Sequence, residues 1–203
     1  MTVSLVTDRR RLLGLAAGLV AATATRPAHA LAAQPSGSTL LTLAHKALAE
    51  HSGRKPLHDR VGIADFSQAS RQPRFYLLDL EGGRISAHLV SHGRGSDPAH
   101  TGLLQRFSND EGSFASSEGC YLTSDTYVGK HGRSMRLIGL EKTNSNAEAR
   151  AIVIHAAPYV SPEMARSLGK IGRSHGCFAF APAELDRMLT ALGPGRLLLA
   201  GRF

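Results

Sequence analysis

The sequence predicts a mainly β fold with flanking helices. Three observations carry that expectation. RFYLLDL (74–80) and ISAHLV (85–90) are apolar-alternating runs on either side of EGGR, the pattern of a β-hairpin turning at Gly82-Gly83. GCYLTSDTYV (119–128) and RSMRLIGLE (133–141) flank GKHG and repeat the pattern. Clear helical spacing of apolar residues lies near the two ends, in TLLTLAHKALAEH (39–51) and PAELDRMLTALG (182–193).

The chain begins with a segment that reads as an address rather than a fold. Arg9, Arg10 and Arg11 precede an Ala-rich apolar run from Leu12 to Ala24, and Ala28-His29-Ala30 supplies a small-x-small cleavage pattern. Residues 1–30 are therefore expected to be an export signal, and Asp8-Arg9-Arg10-Arg11-Leu12-Leu13 resembles the twin-arginine kind. The apolar run is too short and too rich in Ala and Gly to span a bilayer, so no integral membrane segment is expected once the signal is removed. Residues 31–56 are expected to be a leader and one amphipathic helix, with Ser38 as its N-cap, and residues 57–203 a single domain.

Within that domain VGIADF (61–66) precedes the first hairpin as a strand, and the second run of that hairpin is expected to extend through SHG to Gly93. Residues 94–118, rich in Gly, Ser, Asn and Asp, read as a long surface loop, a length that in a small domain points to function. After the second hairpin, the polar KTNSNAEAR leads to AIVIHA (151–156), a short buried strand, and residues 161–168 read as a short helix. Pro182 opens the last helix, Gly193 ends it, and GRLLLAG closes the chain as a strand.

Composition narrows the function classes. The chain of 203 residues carries 24 Lys and Arg against 16 Asp and Glu. Residues 1–30 hold four Arg and one Asp, so their removal leaves 20 basic and 15 acidic residues, a net charge of +5. A modest positive charge suits work beside anionic polymers. It does not indicate nucleic acid: outside the signal there is no basic run, zinc-finger spacing or aromatic stacking signature. The ten histidines show no H-E-x-x-H or comparable spacing, so no metal is expected.

The two cysteines lie in similar strings, SSEGC (116–120) and GRSHGC (172–177). Export permits a Cys120–Cys177 disulfide, and spacing does not exclude it. The surroundings differ, however. Cys177 follows Gly176, which admits unusual backbone conformations and close approach of a substrate. A thiol needs a neighbour that takes its proton, and His155 at the end of AIVIHA or His175 two residues before the cysteine would serve. Cys120 instead opens a strand beside Glu118, whose charge would raise a thiol pKa.

His155 followed by Ser174-His175-Gly176-Cys177 resembles the signature of murein L,D-transpeptidase catalytic domains, the YkuD-type peptidoglycan enzymes, and is closest to their divergent YkuD_2-like branch. The resemblance runs from about Phe75 to Leu199 through SHGRGSD (91–97), QRFSND (105–110), the 119–141 block, IVIHAAPYVS (152–161) and GRSHGCFAF (172–180). It implies a β-sandwich or barrel with flanking helices, Cys177 as nucleophile and His155 as general base. It also implies oxyanion donors on the backbone of Gly176 and Cys177, and Ser174 and His175 as residues shaping the motif. The implied reaction is transfer from peptidoglycan tetrapeptide stems through a thioester, without metal or organic cofactor, in the periplasm or cell envelope.

Two positions depart from that family's pattern. Ala179 stands where typical members carry an arginine, and Ala156 follows the base where glycine is usual. Arg173 is a candidate to replace the missing charge. Tyr159 and His92 are candidates to line the cleft, with a packed core role and a turn role as their respective alternatives, and His131 reads as a hairpin-turn residue. Hydrolysis of the same stems by an L,D-carboxypeptidase or endopeptidase is the nearest rival function. A non-enzymatic wall domain stapled by Cys120–Cys177 is the rival outside enzymology. NlpC/P60-type peptidases fit less well, because there the cysteine precedes the histidine.

Overall fold

An eight-stranded sheet, curled on itself, organises the structure, which is a computed structural model that describes residues 33–203. The expected export signal at 1–30 lies outside the described residues. In chain order the elements are α1 (Gly37–Glu50), β1 (Arg60–Asp65), β2 (Phe75–Asp79), β3 (Arg84–His88), β4 (Gly119–Gly129) and β5 (Gly132–Gly139). They continue with β6 (Val153–Ala156), α2 (Pro162–Leu168), β7 (Phe178–Phe180), α3 (Pro182–Leu192) and β8 (Leu197–Gly201). The strands lie side by side in the order β3-β2-β1-β8-β4-β5-β6-β7. The β1–β8 and β6–β7 pairs are parallel and the others antiparallel.

Both expected hairpins form. Asp79 pairs with Arg84 across the first turn, and the Asp79 carboxylate accepts from the Gly82 N–H at 2.8 Å. Gly129 pairs with Gly132 across the second. The segment after β3 is where expectation and structure differ. The strand stops at His88 rather than running to Gly93, and the chain then crosses to the opposite edge of the sheet. There the Ser91 N–H donates to the Ala179 carbonyl at 3.0 Å, and the Arg94 N–H donates to the Ser174 carbonyl at 2.8 Å. Those bonds join the two outer strands of the order and turn a sheet into a barrel-like curl.

Side-chain alternation divides the core. On the outer face, Leu40, Ala44, Ala47 and Leu48 of α1, spaced to form one helical stripe, cover Val61, Ile63, Leu78, Leu197 and Cys120. Ser36, not Ser38, caps this helix, accepting from the Thr39 N–H at 3.1 Å, because the helix begins at Gly37, two residues before the expected run at 39–51. Inside the curl, Phe75, Tyr121, Phe178 and Phe180 pack against Leu185, Met188, Leu189 and Leu192 of α3. A third, smaller cluster sets Ala165 of α2 with Leu89, Val160, Ile171 and Ala179. Among the described residues no helix is long and apolar enough to cross a membrane.

The 94–118 segment is less of a surface loop than its composition suggests. Ser96, Asp97, Leu104, Ala115, Ser116 and Ser117 are buried. The Asp97 carboxylate explains one end, accepting from the N–H groups of Thr101 and Gly102 at 2.8 Å each. Arg150 holds the other: its guanidinium donates to the Ser108 carbonyl at 2.8 Å, to the Ser117 hydroxyl at 2.5 Å and to the Ala115 carbonyl. Polar side chains thus do for this loop what apolar burial does for the strands.

Candidate active site

The parallel pairing of β6 with β7 sets which face the candidate nucleophile and base occupy. Ile154 lies opposite Phe178 and His155 opposite Ala179. Continued by one residue, that register places Cys177 beside Val153. With a side-chain period of two, Val153, His155 and Cys177 then share a face. All three line one cleft of ≈ 480 Å³.

The backbone at the cysteine depends on a glycine. Gly176 has φ +117°, and a Cβ there would come within 2.7 Å of the Ala115 carbonyl and of Ile152 Cδ1. Ser174 fastens this turn. Its hydroxyl accepts from the Gly176 N–H at 3.1 Å and donates to the Cys177 carbonyl at 2.7 Å. The Gly176 N–H is therefore already engaged, so of the two expected oxyanion donors only that of Cys177 is left for the role. The Cys177 thiol, 9% exposed, donates to the Ala151 carbonyl at 3.5 Å. Ala151 takes a left-handed conformation, φ +51°, an arrangement unusual for a residue with a side chain.

His155 is 2% exposed as a residue, and its Nδ1 lies 2.8 Å from its neighbour's carbonyl, Ala156 O. A carbonyl only accepts, so Nδ1 carries the proton and Nε2 presents a lone pair, the form a general base needs. Burial holds the His155 pKa below its ordinary value. The Ala156 bond works against that shift, and the nearby His131 and Lys130 work with it. Burial raises the Cys177 thiol, opposed by a Val153 backbone hydrogen bond and by the charges of Lys130 and Arg150.

The other sequence candidates separate. Tyr159, Arg173, Ser174 and His175 line the cleft with Cys177 and His155. One arm of Arg173 donates to the carbonyls of Asp97 and Pro98, the latter at 3.1 Å, so much of its guanidinium serves the long loop. The ring of His175 lies against Phe114, 4.6 Å between centroids and tilted by 56°. His92 does not line the cleft. It is 1% exposed, with Arg74 Nη2 donating to its Nδ1 at 2.8 Å and Asp97 Oδ2 3.4 Å from its Nε2 without the alignment of a hydrogen bond. Its contribution is through the main chain, where its carbonyl accepts from the Ser174 N–H at 2.9 Å.

Cys120 and Cys177 are both free thiols. Cys120 belongs to the cluster beneath α1, whereas its neighbour Tyr121 packs edge-on against Phe178 inside the curl at 5.4 Å. Cys120 lies beneath α1 and Cys177 lines the cleft with His155, neither thiol bonded to the other, and the disulfide reading is corrected accordingly. Burial and the Glu141 charge push the Cys120 thiol up to about 12.

Several cleft residues received no site role from the sequence, among them Lys130, His131, which read as a turn residue, and Arg150. The first two lie at a hairpin tip that folding brings back onto the end of β6, and no one-dimensional spacing reports such a return. Arg150 sits in a polar stretch without periodicity. Ala179, where an arginine was expected, is fully buried. Among the described residues, no group of three or more His, Cys, Asp or Glu is arranged to hold a metal ion.

The family model of the L,D-transpeptidase catalytic domain matches residues 33–200, and the chain belongs to that family. No curated protein matches it. Similar solved structures include L,D-transpeptidase 3 from Mycobacterium tuberculosis, 17% identical, covering 71% of this chain and 61% of that one, with a TM-score of 0.41. An L,D-transpeptidase from Mycobacterium smegmatis is 13% identical, with coverage of 70% and 58% and a TM-score of 0.41. The helical cell shape determining protein Pgp2 from Campylobacter jejuni is 12% identical, with coverage of 70% and 47% and a TM-score of 0.43. The match spans less than two thirds of each of these chains.

Proposed function

We propose that this protein is an exported cysteine L,D-transpeptidase that cross-links peptidoglycan tetrapeptide stems through a Cys177 thioester. The observation that carries the reading is the placing of Cys177 and His155 on one face of the β6–β7 ladder, in a cleft, with the His155 tautomer fixed by Ala156. A cleft edged by Lys130, Arg150 and Arg173, with Glu111 as its acidic member, suits the carboxylates of such stems.

In the first half-reaction His155 Nε2 takes the thiol proton as Sγ attacks the carbonyl carbon at the L-centre of diaminopimelate. The Cys177 N–H supports the oxyanion. The bond to the terminal D-Ala then breaks, and the imidazolium returns its proton to the departing amine. In the second, the amine of another stem gives a proton to His155 and attacks the thioester. The C–S bond breaks, and the thiol is restored. Because its substrate lies in the wall, the protein works in the periplasm or cell envelope, as the export reading of residues 1–30 anticipates.

The test incubates protein lacking residues 1–30 with disaccharide-tetrapeptide and reads products by mass spectrometry beside Cys177→Ala. Cross-linked dimers with released D-Ala are expected from the unsubstituted protein alone. Tripeptide and D-Ala without dimers would assign water as acceptor and make the enzyme a carboxypeptidase. Equal product from Cys177→Ala would end the cysteine assignment.

A further inference from the structure

His131 is an exposed turn residue whose ring is nevertheless placed with care. It lies nearly parallel to the ring of His155, 4.3 Å between centroids and 20° between planes. The approach follows from the hairpin. Ser134 of β5 pairs with His155 and β6 ends one residue on, at Ala156, so Gly132 and His131 lie beyond the end of β6. Gly129 and Gly132 close the turn with Lys130 and His131 between them. Gly132 alone of these takes a positive φ, +73°, a conformation glycine adopts without strain at a tight turn. That geometry brings the tip back over the cleft instead of letting it run on into solvent.

His155 needs such a neighbour. Its one side-chain hydrogen bond, from Nδ1 to the Ala156 carbonyl, fixes the tautomer and anchors one corner of the ring, and the ring's faces are held by packing alone. The base must present Nε2 to the thiol within a narrow range of angles, and small errors of placement are expensive in rate. A flat ring on one face restrains the imidazole without adding a competing partner at Nε2.

Resting on the transpeptidase reading above, we infer that His131 is a positioning residue that holds the catalytic imidazole of His155 by face-to-face stacking. The ring matters, not its ability to carry a proton, so a phenylalanine at 131 is an adequate substitute and an alanine is not.

The experiment compares unsubstituted protein, Cys177→Ala, His131→Ala and His131→Phe on disaccharide-tetrapeptide at pH 8, and records the His155 ring protons by NMR in histidine-labelled protein. His131→Ala is expected to lower kcat roughly 10-fold with KM little changed. His131→Phe is expected to restore most of kcat, and the upfield ring-current shift of His155 should vanish in the alanine variant and persist in the phenylalanine one. Activity that depends on Cys177 but is unchanged in His131→Ala would overturn the inference alone, as would a His155 resonance that ignores the substitution. Activity indifferent to Cys177→Ala would overturn the transpeptidase reading and this inference with it.

Discussion

Ser174 and Cys177 are joined by a 2.7 Å hydrogen bond from the serine hydroxyl to the cysteine carbonyl, while the same hydroxyl accepts from Gly176. The serine is thus the clasp of the turn on which the nucleophile stands. Ser174→Ala removes both bonds and leaves the buried Gly176 N–H without its partner. We expect a loss of about 1–2 kcal/mol in stability and a fall in kcat/KM of roughly 10- to 100-fold. Chemical denaturation and steady-state kinetics check the two figures separately.

The acid limb of activity reports the base. Burial, then His131 and Lys130, hold the His155 pKa below 6.5 against the opposing Ala156 bond. The imidazole therefore remains an unprotonated base at pH values where a free histidine would be half charged. The apparent acidic pKa of kcat/KM is expected below 6.5. A limb at 7 or above would mean that the free enzyme's base is not the buried ring seen here.

His92 ties stability to pH. Burial, then the charge of Arg74, lowers its pKa to about 4, with Asp97 opposing. The folded protein binds fewer protons here than the unfolded chain, so stability rises with pH through this window. The contribution is complete above the unfolded value of about 6.5 and is lost as pH falls from there towards 4, on the order of 3 kcal/mol in all. Denaturation midpoints measured at pH 4 and pH 7 should differ less in His92→Gln than in the unsubstituted protein. Equal slopes would contradict the assignment.

Cys120 is a small apolar residue under α1. Cys120→Ala is expected to cost about 1 kcal/mol of stability and to leave turnover unchanged. Purified protein should show two free thiols without reductant, and Cys120 should react slowly, buried as it is and with its pKa raised to about 12. A count of none would restore the disulfide.

Strands and hairpins were legible because β4 and β5 alternate and their turns carry glycine. The candidate nucleophile and base were legible because GRSHGC and AIVIHA keep their residue order. Three things were not. The end of β3 was not, since Leu89, Val90, Ser91 and Gly93 are apolar or small enough for a strand, yet the hydrogen bonds of this segment go across the curl to Ala179 and Ser174. The S-H-G string at 91–93 looked like a cleft residue, but its histidine answers a buried arginine, Arg74, whose own burial nothing in the sequence foretells. The role of GKHG was hidden because a turn's contacts depend on where its strands point, and that is decided by the pairing of Ser134 with His155.

The central claim is that Cys177 carries the acyl group. Protein incubated with disaccharide-tetrapeptide, quenched in acid and digested, should yield a peptide bearing Cys177 with the disaccharide-tripeptide attached as a thioester. The adduct should be absent from Cys177→Ala and reduced at least roughly 100-fold in rate of formation in His155→Ala. Product formation by the unsubstituted protein with Cys177 unmodified at every time point, or with the adduct on another residue, would contradict the account.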